Sequence, residues 1–487
     1  MTERWLAATG RRVASWWQGD DAARDTFGQA RWSSGNGAPG GVRNGTAGPF
    51  VGLWASGSER RPVFEPMHYS GDGHALLVAP SRSGKGRDVL VRSLVTNSDS
   101  AVVIDVKGEL AAITARARRE MGHDVFCLNP FGLHTGDPWK LPQHGFNPLA
   151  ALDPESDNFV ADMESLCSAL VQHDGNEAAH WADGARSLLG GLIVHEVITA
   201  RRDKRQPSLG RVRGYVVMED DEFQATTGDM LRDHNEGMVA DRLGMFRKLT
   251  NELRSLKSTA KTQTTWMSDP VMQKAALRHD FAFADLKRKP MTVYVILPSR
   301  LISKDRTYNR YMRLMLGSAI DAMTATPRTS SRPVWFLIDE FYSLGAMPVI
   351  ETMMSEGAGY GIQLQPVVQN LGQLKELYRG NWETFVANAA LKQWFAPRDY
   401  TTAEYISKML GQFTANPQTI GADGKVSISE TGRALLRPEE VMQLSEQEQI
   451  VFLKGCPNPF RQLYRSPYYK ETWGLQARCD PNPYFIG

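Results

Sequence analysis

The sequence predicts an α/β fold with a mostly parallel sheet that is interrupted by an inserted all-α domain. Three observations support this prediction. Short apolar segments recur along the chain and are nearly continuous in hydrophobicity, which is typical of strands covered on both faces of a parallel sheet. Helical patterns separate them, and strands that alternate with helices indicate the α/β class. Over residues 153–285 the alternation stops and a proline-poor series of helical patterns replaces it.

The predicted strands are five to seven residues long, with helical patterns such as 85–96 and 110–121 between them. They cover residues 74–79, 101–106, 124–129, 291–297, 334–339, 362–368, 391–396 and 449–453. Upstream of the first strand, residues 33–58 are rich in Gly and Ser and lack periodicity, which predicts a linker or loop. The helices of the insertion are expected at 156–172, 177–202, 222–234 and 238–266.

Length and composition set the domain organisation. The chain has 487 residues, 42% of them hydrophobic and 23% charged, the balance of a folded protein with about two to four domains. Disorder throughout, collagen and small disulfide-stapled scaffolds are excluded. We expect an N-terminal helix and linker (1–62), a nucleotide-binding domain in two parts (63–152 and 286–465), the all-α insertion (153–285) and a C-terminal tail (466–487).

Charge and cysteine content limit how the protein could bind nucleic acid and indicate the redox state of its cellular compartment. Lys and Arg number 56 against 54 Asp and Glu, a formal net charge of +2, so a nucleic-acid surface has to be a local patch. The four cysteines are far apart and include no C-x-x-C pair, which favours reduced thiols in a cytoplasmic setting. No stretch reaches the roughly 18 to 20 apolar residues that span a bilayer. The first 17 residues fit a short docking helix or a frayed chain end and, less well, a membrane-surface helix.

A lysine-containing loop follows the first predicted strand. Residues 79–87 read APSRSGKGR and lead into a helical pattern, and a strand, a glycine-containing loop with lysine and a helix in that order form the context of a P-loop. Backbone N–H groups of such a loop bind phosphate, and Lys85 would bridge β- and γ-phosphate oxygens. Ala79 and Gly86 depart from G-x-x-x-x-G-K-[ST], and a turn that only caps the helix is the alternative. The predicted cofactor-binding residues are Ser81, Arg82, Ser83, Gly84, Lys85, Gly86 and Arg87.

Two adjacent carboxylates end a later strand. Residues 334–341 read VWFLIDEF, so Asp339 and Glu340 lie at the carboxyl end of an apolar strand. A carboxylate at that position holds Mg²⁺, and its neighbour polarises the attacking water. Together with the upstream lysine loop, this pair predicts ATP hydrolysis, with Asp339 as the metal ligand and Glu340 as a catalytic residue.

Several longer segments carry a family resemblance. In chain order they are GQARWSS (28–34), GHALLVAPSRSGKGRDVL (73–90), VVIDVKGELAAIT (102–114), FNPLAAL (146–152), FLIDEFYSLG (336–345), GYGIQLQPVVQNLGQLKELY (359–378), ANAALKQWFAPRDYTTAEYISKMLG (387–411) and RALLRPEEVMQL (433–444). With these segments the chain resembles the type IV secretion coupling proteins, the TraG-like conjugation ATPases, from about residue 28 to residue 465.

The resemblance implies a RecA-like P-loop motor that uses ATP and Mg²⁺ and works as a homo-hexamer at the bacterial inner membrane. The implied partners are DNA, expected here to be single-stranded and bound without sequence preference, a relaxase or protein effectors, and components of a type IV secretion channel. Gln369, thirty residues after Asp339, maps to a family glutamine that would sense the γ-phosphate. Glycine is frequent in the family at the position of Gly86, so it does not indicate an inactive site.

Three features depart from the family pattern. The family usually begins with transmembrane helices and none is predicted here, so we expect a chain at the inner membrane whose spanning segment was removed or is supplied by a partner, and which is monomeric when dilute. Gln363 stands where the family often has arginine, so we expect it to remove a basic residue near the interface between subunits of the ring, which puts the identity of the arginine finger in doubt. Arg398, the predicted catalytic arginine, and Arg379 are the candidates. Arg87 follows the loop where a small or apolar residue is usual.

Two further charged groups have open interpretations. Asp105, Lys107 and Glu109 follow the second strand and either act near phosphate or a neighbouring subunit, or form a helix start. Basic residues concentrate over 201–213 and 242–261, and these runs either contact DNA phosphates or are solvated helix faces. The DNA-contacting residues that we expect are Arg254, Lys257 and Lys261.

The function predicted from these features is that of an ATP-driven coupling protein. It would recruit and translocate DNA, as a relaxase–DNA complex, or protein substrates to a type IV secretion channel. A DNA translocase of the chromosome-segregation type shares the motor, but residues 466–487 are too short for its usual C-terminal winged helix. A non-hydrolysing scaffold that recruits cargo is the third interpretation, against which Lys85, Asp339 and Glu340 argue.

Overall fold

The fold was analysed in a computed structural model. It describes residues 28–33, 42–43, 47–58, 61–171, 179–234, 237–248, 250–302, 307–415, 418–420, 426–428, 430–461, 463–470 and 474–485. The helix expected within residues 1–17 lies outside these ranges. The chain divides into two compact units, the first formed by Met1–Asp99, Met353–Ala358 and Gln363–Asp480, the second by Ser100–Thr352, Gly359–Ile362 and Pro481–Gly487.

All eight predicted strands are present, with bounds within two residues of those expected. The strands of the described residues are β1 (Val42–Arg43), β2 (Phe50–Ser58), β3 (Arg61–Tyr69), β4 (His74–Val78), β5 (Ala101–Asp105), β6 (Asp124–Leu128), β7 (Met291–Ile296), β8 (Val334–Ile338), β9 (Ile362–Val368), β10 (Ala389–Trp394), β11 (Gln412–Ala415), β12 (Gln418–Ile420), β13 (Val426–Ile428), β14 (Thr431–Ala434), β15 (Ile450–Leu453) and β16 (Leu463–Tyr464).

Helices fill most of the intervals between these strands. The α-helices of the described residues are α1 (Val91–Thr96), α2 (Glu109–Glu120), α3 (Phe159–Leu170), α4 (Ala179–Arg202), α5 (Leu209–Val217), α6 (Asp220–Asp233), α7 (Met238–Leu243), α8 (Asn251–Gln263), α9 (Pro270–Leu277), α10 (Ser299–Ile302), α11 (Asn309–Ala325), α12 (Pro348–Glu356), α13 (Leu371–Tyr378), α14 (Glu383–Ala387), α15 (Tyr400–Leu410), α16 (Pro438–Met442) and α17 (Leu475–Arg478).

In the first unit, β4 runs parallel to both β9 and β10, and β15 is antiparallel to β10. A second, antiparallel sheet has the order β1–β3–β2–β16. Its apolar side chains, among them Val51 and Trp54, share one buried cluster with Leu391 and Val451 of β10 and β15. The predicted linker is therefore wrong over Phe50–Ser58, because apolar residues among its glycines and serines are buried by this second sheet.

In the second unit, β8, β5, β7 and β6 pair in that order and all three pairs are parallel. Every residue of β5, β7 and β8 is buried, as the continuous hydrophobicity predicted. The carboxyl ends of parallel strands meet at one edge of a sheet, and ligands gather there. Residues that follow β5 and β8 are therefore neighbours at this edge.

The helices α3 to α9 lie between β6 and β7, as the predicted all-α insertion requires. The single helix expected over 238–266 is wrong: α7 ends at Leu243, a 3₁₀ turn follows at Gly244–Arg247, and α8 begins separately. Thr250 marks the new start, because its Oγ1 accepts a hydrogen bond from Leu253 N–H at 3.3 Å. The helices α5 and α9 were not predicted.

Candidate nucleotide-binding and acidic sites

The phosphate loop connects β4 to a helical turn that begins at Gly86 and continues as α1. Ala79 N–H donates to Val368 O of β9 at 2.9 Å, which holds the start of the loop against the neighbouring strand. Gly84 has a φ of +87°, and a Cβ there would lie 2.6 Å from Asp88 Oδ2, so the position requires glycine. A loop of this shape ahead of a helix N-terminus fits an anionic phosphate.

Lys85 and Gly86 complete the loop. Lys85 is half-buried and is the last residue before the helical turn. A Cβ at Gly86 would meet nothing within 4 Å, so packing does not impose glycine and a hydroxyl-bearing side chain would have room. The missing hydroxyl therefore leaves space at the loop, and Lys85 and the loop amides are the groups that would bind the phosphates of a nucleotide.

Arg87 forms an ion pair with the residue that follows it. Its Nε donates to Asp88 Oδ1 at 2.5 Å and its Nη2 to Oδ2 at 3.0 Å. Asp88 is buried, and its hydrogen bond holds the pKa of Arg87 above the ordinary value. The arginine that departs from the family pattern is thus the partner of a buried acid.

Asp339 and Glu340 directly follow β8, as predicted, and both are half-buried. Asp339 N–H donates to Ile104 O at 3.3 Å, which ties the acidic pair to the neighbouring strand β5. The backbone carbonyl of Glu340 accepts bonds from Ser343 N–H (3.0 Å) and Ser343 Oγ (2.7 Å), which begin a 3₁₀ turn. The turn fixes the backbone that carries the two carboxylates.

Asp105 ends β5 and is fully buried at the same edge of the second unit. Its Oδ2 accepts from Ala111 N–H at 2.8 Å and its Oδ1 from Lys107 N–H at 3.4 Å. Of the two interpretations left open, the helix start is therefore the one that the hydrogen bonds support. Burial raises the pKa of Asp105 to about 7, and the negative charges of Asp339 and Glu109 add to the rise. We call Asp105, Asp339, Glu340 and Glu109 the acidic edge.

Residues 481–485 lie on the loop that connects β5 to α2. Asn482 Nδ2 donates to Glu109 Oε1 at 2.8 Å, and Tyr484 OH donates to Lys107 O at 2.9 Å. Sequence reasoning missed this contact. Its partners are more than 370 residues apart, and no local pattern in the C-terminal tail identifies them.

The other predicted catalytic residues lie in the first unit. Gln369 immediately follows β9, is half-buried, and its backbone N–H donates to Gln373 Oε1 at 2.8 Å. Arg398 is exposed beside Asp399, the N-cap residue of α15. Arg379 is also exposed and has a φ of +47°. Both arginines are therefore accessible to another molecule.

Gln363 is not a surface residue. It is fully buried in β9, and its Nε2 donates to the backbone carbonyls of Gly71 (3.0 Å) and Gly73 (2.9 Å). The hypothesis that this position removes a basic residue near a subunit interface is therefore corrected. Gln363 is hydrogen-bonded to the turn that leads into β4.

The three residues predicted to contact DNA lie on α8 and differ from one another. Lys257 is buried, and its Nζ donates to Met218 O (2.6 Å) and Asp220 Oδ1 (3.1 Å), so the prediction of a DNA contact there is corrected. Arg254 is half exposed, and its Nε donates to Asp220 Oδ2 at 2.7 Å. Lys261 is exposed. A charge run in the sequence does not distinguish these cases.

Two other features, a metal-binding cluster and a membrane-spanning helix, are absent from the part of the chain that the structure describes. Among those residues, no three His, Cys, Asp or Glu side chains group in a way that would hold a metal ion. Within the same ranges, no helix is both long and apolar enough to cross a bilayer.

The fold and the phosphate loop define an α/β protein of the P-loop class. Residues 38–481 match the family described as Type IV secretory system Conjugative DNA transfer. The chain is 30% identical over 414 residues to protein VirD4 of Rhizobium rhizogenes, an alignment that covers 82% of this chain and 59% of that protein. It is 27% identical over 424 residues to the conjugal transfer protein TraG of Escherichia coli, covering 82% of this chain and 65% of TraG.

The chain belongs to this conjugative DNA transfer family, as predicted. It spans about three fifths of the length of VirD4. Among solved structures, the bacterial conjugative coupling protein TrwBdeltaN70 in its unbound monoclinic form matches with a TM-score of 0.62 at 17% identity, over 81% of this chain and 84% of that one. The predicted RecA-like α/β motor fold with an all-α domain is confirmed.

Proposed function

We propose that this chain is an ATP-driven coupling protein that recruits DNA, as a relaxase–DNA complex, or protein substrates and moves them to a type IV secretion channel at the inner membrane. The observation that carries the proposal is the phosphate loop, in which Gly84 is left-handed and Lys85 precedes a helix. Family membership supports conjugative DNA transfer as the setting. Solved structures of the plasmid coupling protein TrwB hold the ATP analogue ADPNP, or ADP and Mg²⁺.

Each site residue has a separate role in this proposal. The loop amides and Lys85 bind the β- and γ-phosphates of ATP. Asp339 holds Mg²⁺, which when bound neutralises charge on the phosphate oxygens. Glu340 accepts a hydrogen bond from the attacking water and polarises it. Gln369, at the end of β9, responds to the presence of the γ-phosphate.

Phosphate release with and without single-stranded DNA tests the proposal. We expect turnover in the wild type, stimulated by DNA, and loss of nucleotide binding in Lys85→Ala. Lys408→Ala is the matched control, because Lys408 is an exposed lysine of α15 in a surface ion pair with Glu404 (3.2 Å). Wild-type nucleotide binding in both variants would contradict the proposal. Nucleotide binding without turnover would favour the non-hydrolysing scaffold.

The active form in this proposal is a homo-hexamer in which one copy supplies Arg398 to the site of the next. An arginine supplied in trans contributes about 10³–10⁵ to the rate. Turnover per protomer should therefore rise with protein concentration, and Arg398→Ala should remove the rise but keep nucleotide binding. Arg379→Ala is the comparison variant, since Arg379 is also exposed. Constant turnover over a dilution series that shows monomers by light scattering would contradict the shared site.

A further inference from the structure

A buried arginine near the C-terminal end of the first unit's sequence contacts the phosphate loop. Arg465 is 4% exposed, and its Nη1 donates to Ser83 O at 2.8 Å. The same nitrogen lies 3.4 Å from Asp88 Oδ2. Asp88 is 1% exposed and already bonds Arg87, so its carboxylate lies between two guanidinium groups. We call Arg87, Asp88 and Arg465 the charge cluster.

Other contacts fix the guanidinium of Arg465 in place. Its Nε donates to Glu448 O at 3.2 Å and its Nη2 donates to Glu446 O. Its Cζ lies 3.7 Å from the centroid of the Phe395 ring, a cation–π distance. Because a planar guanidinium donates in fixed directions, these contacts leave little freedom in the direction of the bond to Ser83.

The bond to Ser83 O sets the orientation of one loop peptide. The carbonyl and the N–H of a trans peptide point in opposite directions, so Gly84 N–H points away from Arg465. Two neighbouring carbonyls are also engaged, Pro80 O by Ser83 N–H (3.2 Å) and Gly84 O by Asp88 N–H (2.8 Å). A carbonyl that turned toward a phosphate would repel it, and these bonds hold three carbonyls in directions that leave the Gly84 N–H for the anion.

We propose that Arg465 is a positioning residue of the phosphate loop. Without touching the nucleotide, it holds the Ser83–Gly84 peptide and, through Asp88, the start of the helix in the arrangement that binds phosphate. The inference rests on the proposed nucleotide binding and extends it to a residue that no sequence motif identifies. It also explains the pairing of Arg87 with Asp88, because the Asp88 carboxylate lies against both guanidinium groups.

The test compares Arg465→Met with Arg92→Met. Arg92 is a matched control: it is 1% exposed and the charge of Asp88 acts on it too, but its Nε donates to a carbonyl outside the loop, Ser466 O (2.9 Å), and its Cζ lies 4.9 Å from the Phe50 ring centroid. Both variants lose a buried guanidinium and should have similarly lowered Tm. Only Arg465→Met should bind a fluorescent non-hydrolysable ATP analogue more weakly, by about tenfold, with kcat at saturating ATP little changed.

Hydrogen–deuterium exchange without nucleotide provides a second readout. Amides of residues 82–86 should exchange faster in Arg465→Met than in Arg92→Met or in the wild type. Arg465→Lys restores the charge beside Asp88 but cannot donate to Ser83, Glu446 and Glu448 together, so its affinity should lie between wild type and Arg465→Met.

The outcomes separate this inference from the proposed function. If the wild type does not bind the analogue, the proposed function fails. If the wild type binds and Arg465→Met and Arg92→Met match it in affinity and in loop exchange, the positioning role is wrong and nucleotide binding stands. If Arg465→Met does not fold, Arg465→Lys takes its place, and wild-type affinity and loop exchange in that variant would overturn the inference.

Discussion

The phosphate loop and the acidic edge differ in how their charges are arranged. At the loop, Asp88 lies between the guanidinium groups of Arg87 and Arg465, so opposite charges meet and are hydrogen-bonded. At the acidic edge, carboxylates of like charge are brought together, and the pKa of Asp105 rises to about 7 as a result of burial and of that repulsion.

This difference indicates which region a bound cation would affect most. Carboxylates held together repel one another, and a divalent cation relieves that repulsion. The charge cluster at the loop has two guanidinium groups against one carboxylate, so it is already net positive and gains nothing from a cation. We therefore expect loop residues to determine nucleotide affinity and acidic-edge residues to determine turnover and its dependence on metal.

Replacing Glu340 should give the largest separation of the two regions. Glu340→Gln removes the carboxylate that polarises water, so kcat should fall by about 10²–10⁴ while affinity for an ATP analogue stays at the wild-type value. Glu404→Gln on α15 is a control at a surface position. Phosphate release and analogue titration measure the two quantities. If Glu340→Gln loses affinity and turnover in equal measure, the assignment of affinity to the loop and of turnover to the acidic edge is wrong.

Metal dependence provides the next test. Asp339→Asn removes one formal charge from the acidic edge, so the Mg²⁺ concentration for half-maximal turnover should rise about tenfold. Affinity for the ATP analogue in EDTA should stay unchanged, since the loop residues are intact. A titration of turnover against Mg²⁺ measures the shift. An unchanged Mg²⁺ requirement would remove Asp339 from the proposed metal site.

The pKa of Asp105 predicts a pH dependence of stability. Its folded-state pKa of about 7 is above the ordinary value of 3.8, so its contribution to stability is complete below about pH 4 and is lost as pH rises through 7. Asp105→Asn does not titrate. Relative to wild type, the Asp105→Asn variant should therefore be more stable at pH 8 than at pH 4.5, by on the order of 2 kcal/mol. Denaturant melts at both pH values measure it, and a pH-independent difference would contradict the shift.

The smallest expected effects concern two lysines of α8, the exposed Lys261 and the buried Lys257. Lys261→Ala should flatten the salt dependence of DNA affinity by about one unit of slope or slightly less. Lys257→Ala should leave the slope unchanged and lower stability by about 1–3 kcal/mol, because it removes the bonds to Met218 and Asp220. Fluorescence anisotropy against salt and thermal melts distinguish the two. A flattened slope for Lys257→Ala alone would reverse the assignment.

Local pattern was sufficient to predict the strands and the ends of the strands where the site residues lie. Continuous apolar runs identified every strand of the parallel pairs, and they correctly placed Lys85 in the loop after β4 and Asp339 and Glu340 directly after β8. The roles of these three residues stay predictions. These features are short, and their physical cause acts within a few residues of the chain. The strand β2 escaped notice because its Gly and Ser content resembles that of a linker.

Contacts between distant parts of the chain could not be predicted in the same way. Arg465 reaches Ser83 across 382 residues, and no periodicity connects them. The burial of Lys257 depends on α6, which supplies Asp220 and Phe223 beneath it. A run of basic residues gives the charge of a segment. It does not tell which of the side chains are buried or bonded to other parts of the folded chain.

The charge cluster also constrains how this protein can diverge. Loss of Arg465 alone would leave Asp88 buried with one cation fewer, and loss of Asp88 alone would leave a buried guanidinium without its acid, so each single step is costly. Descendants that change one of these positions are expected to change the other in the same lineage. An alignment of close relatives should therefore show positions 88 and 465 gained and lost together, and Arg87 varying more freely because its side chain reaches the surface.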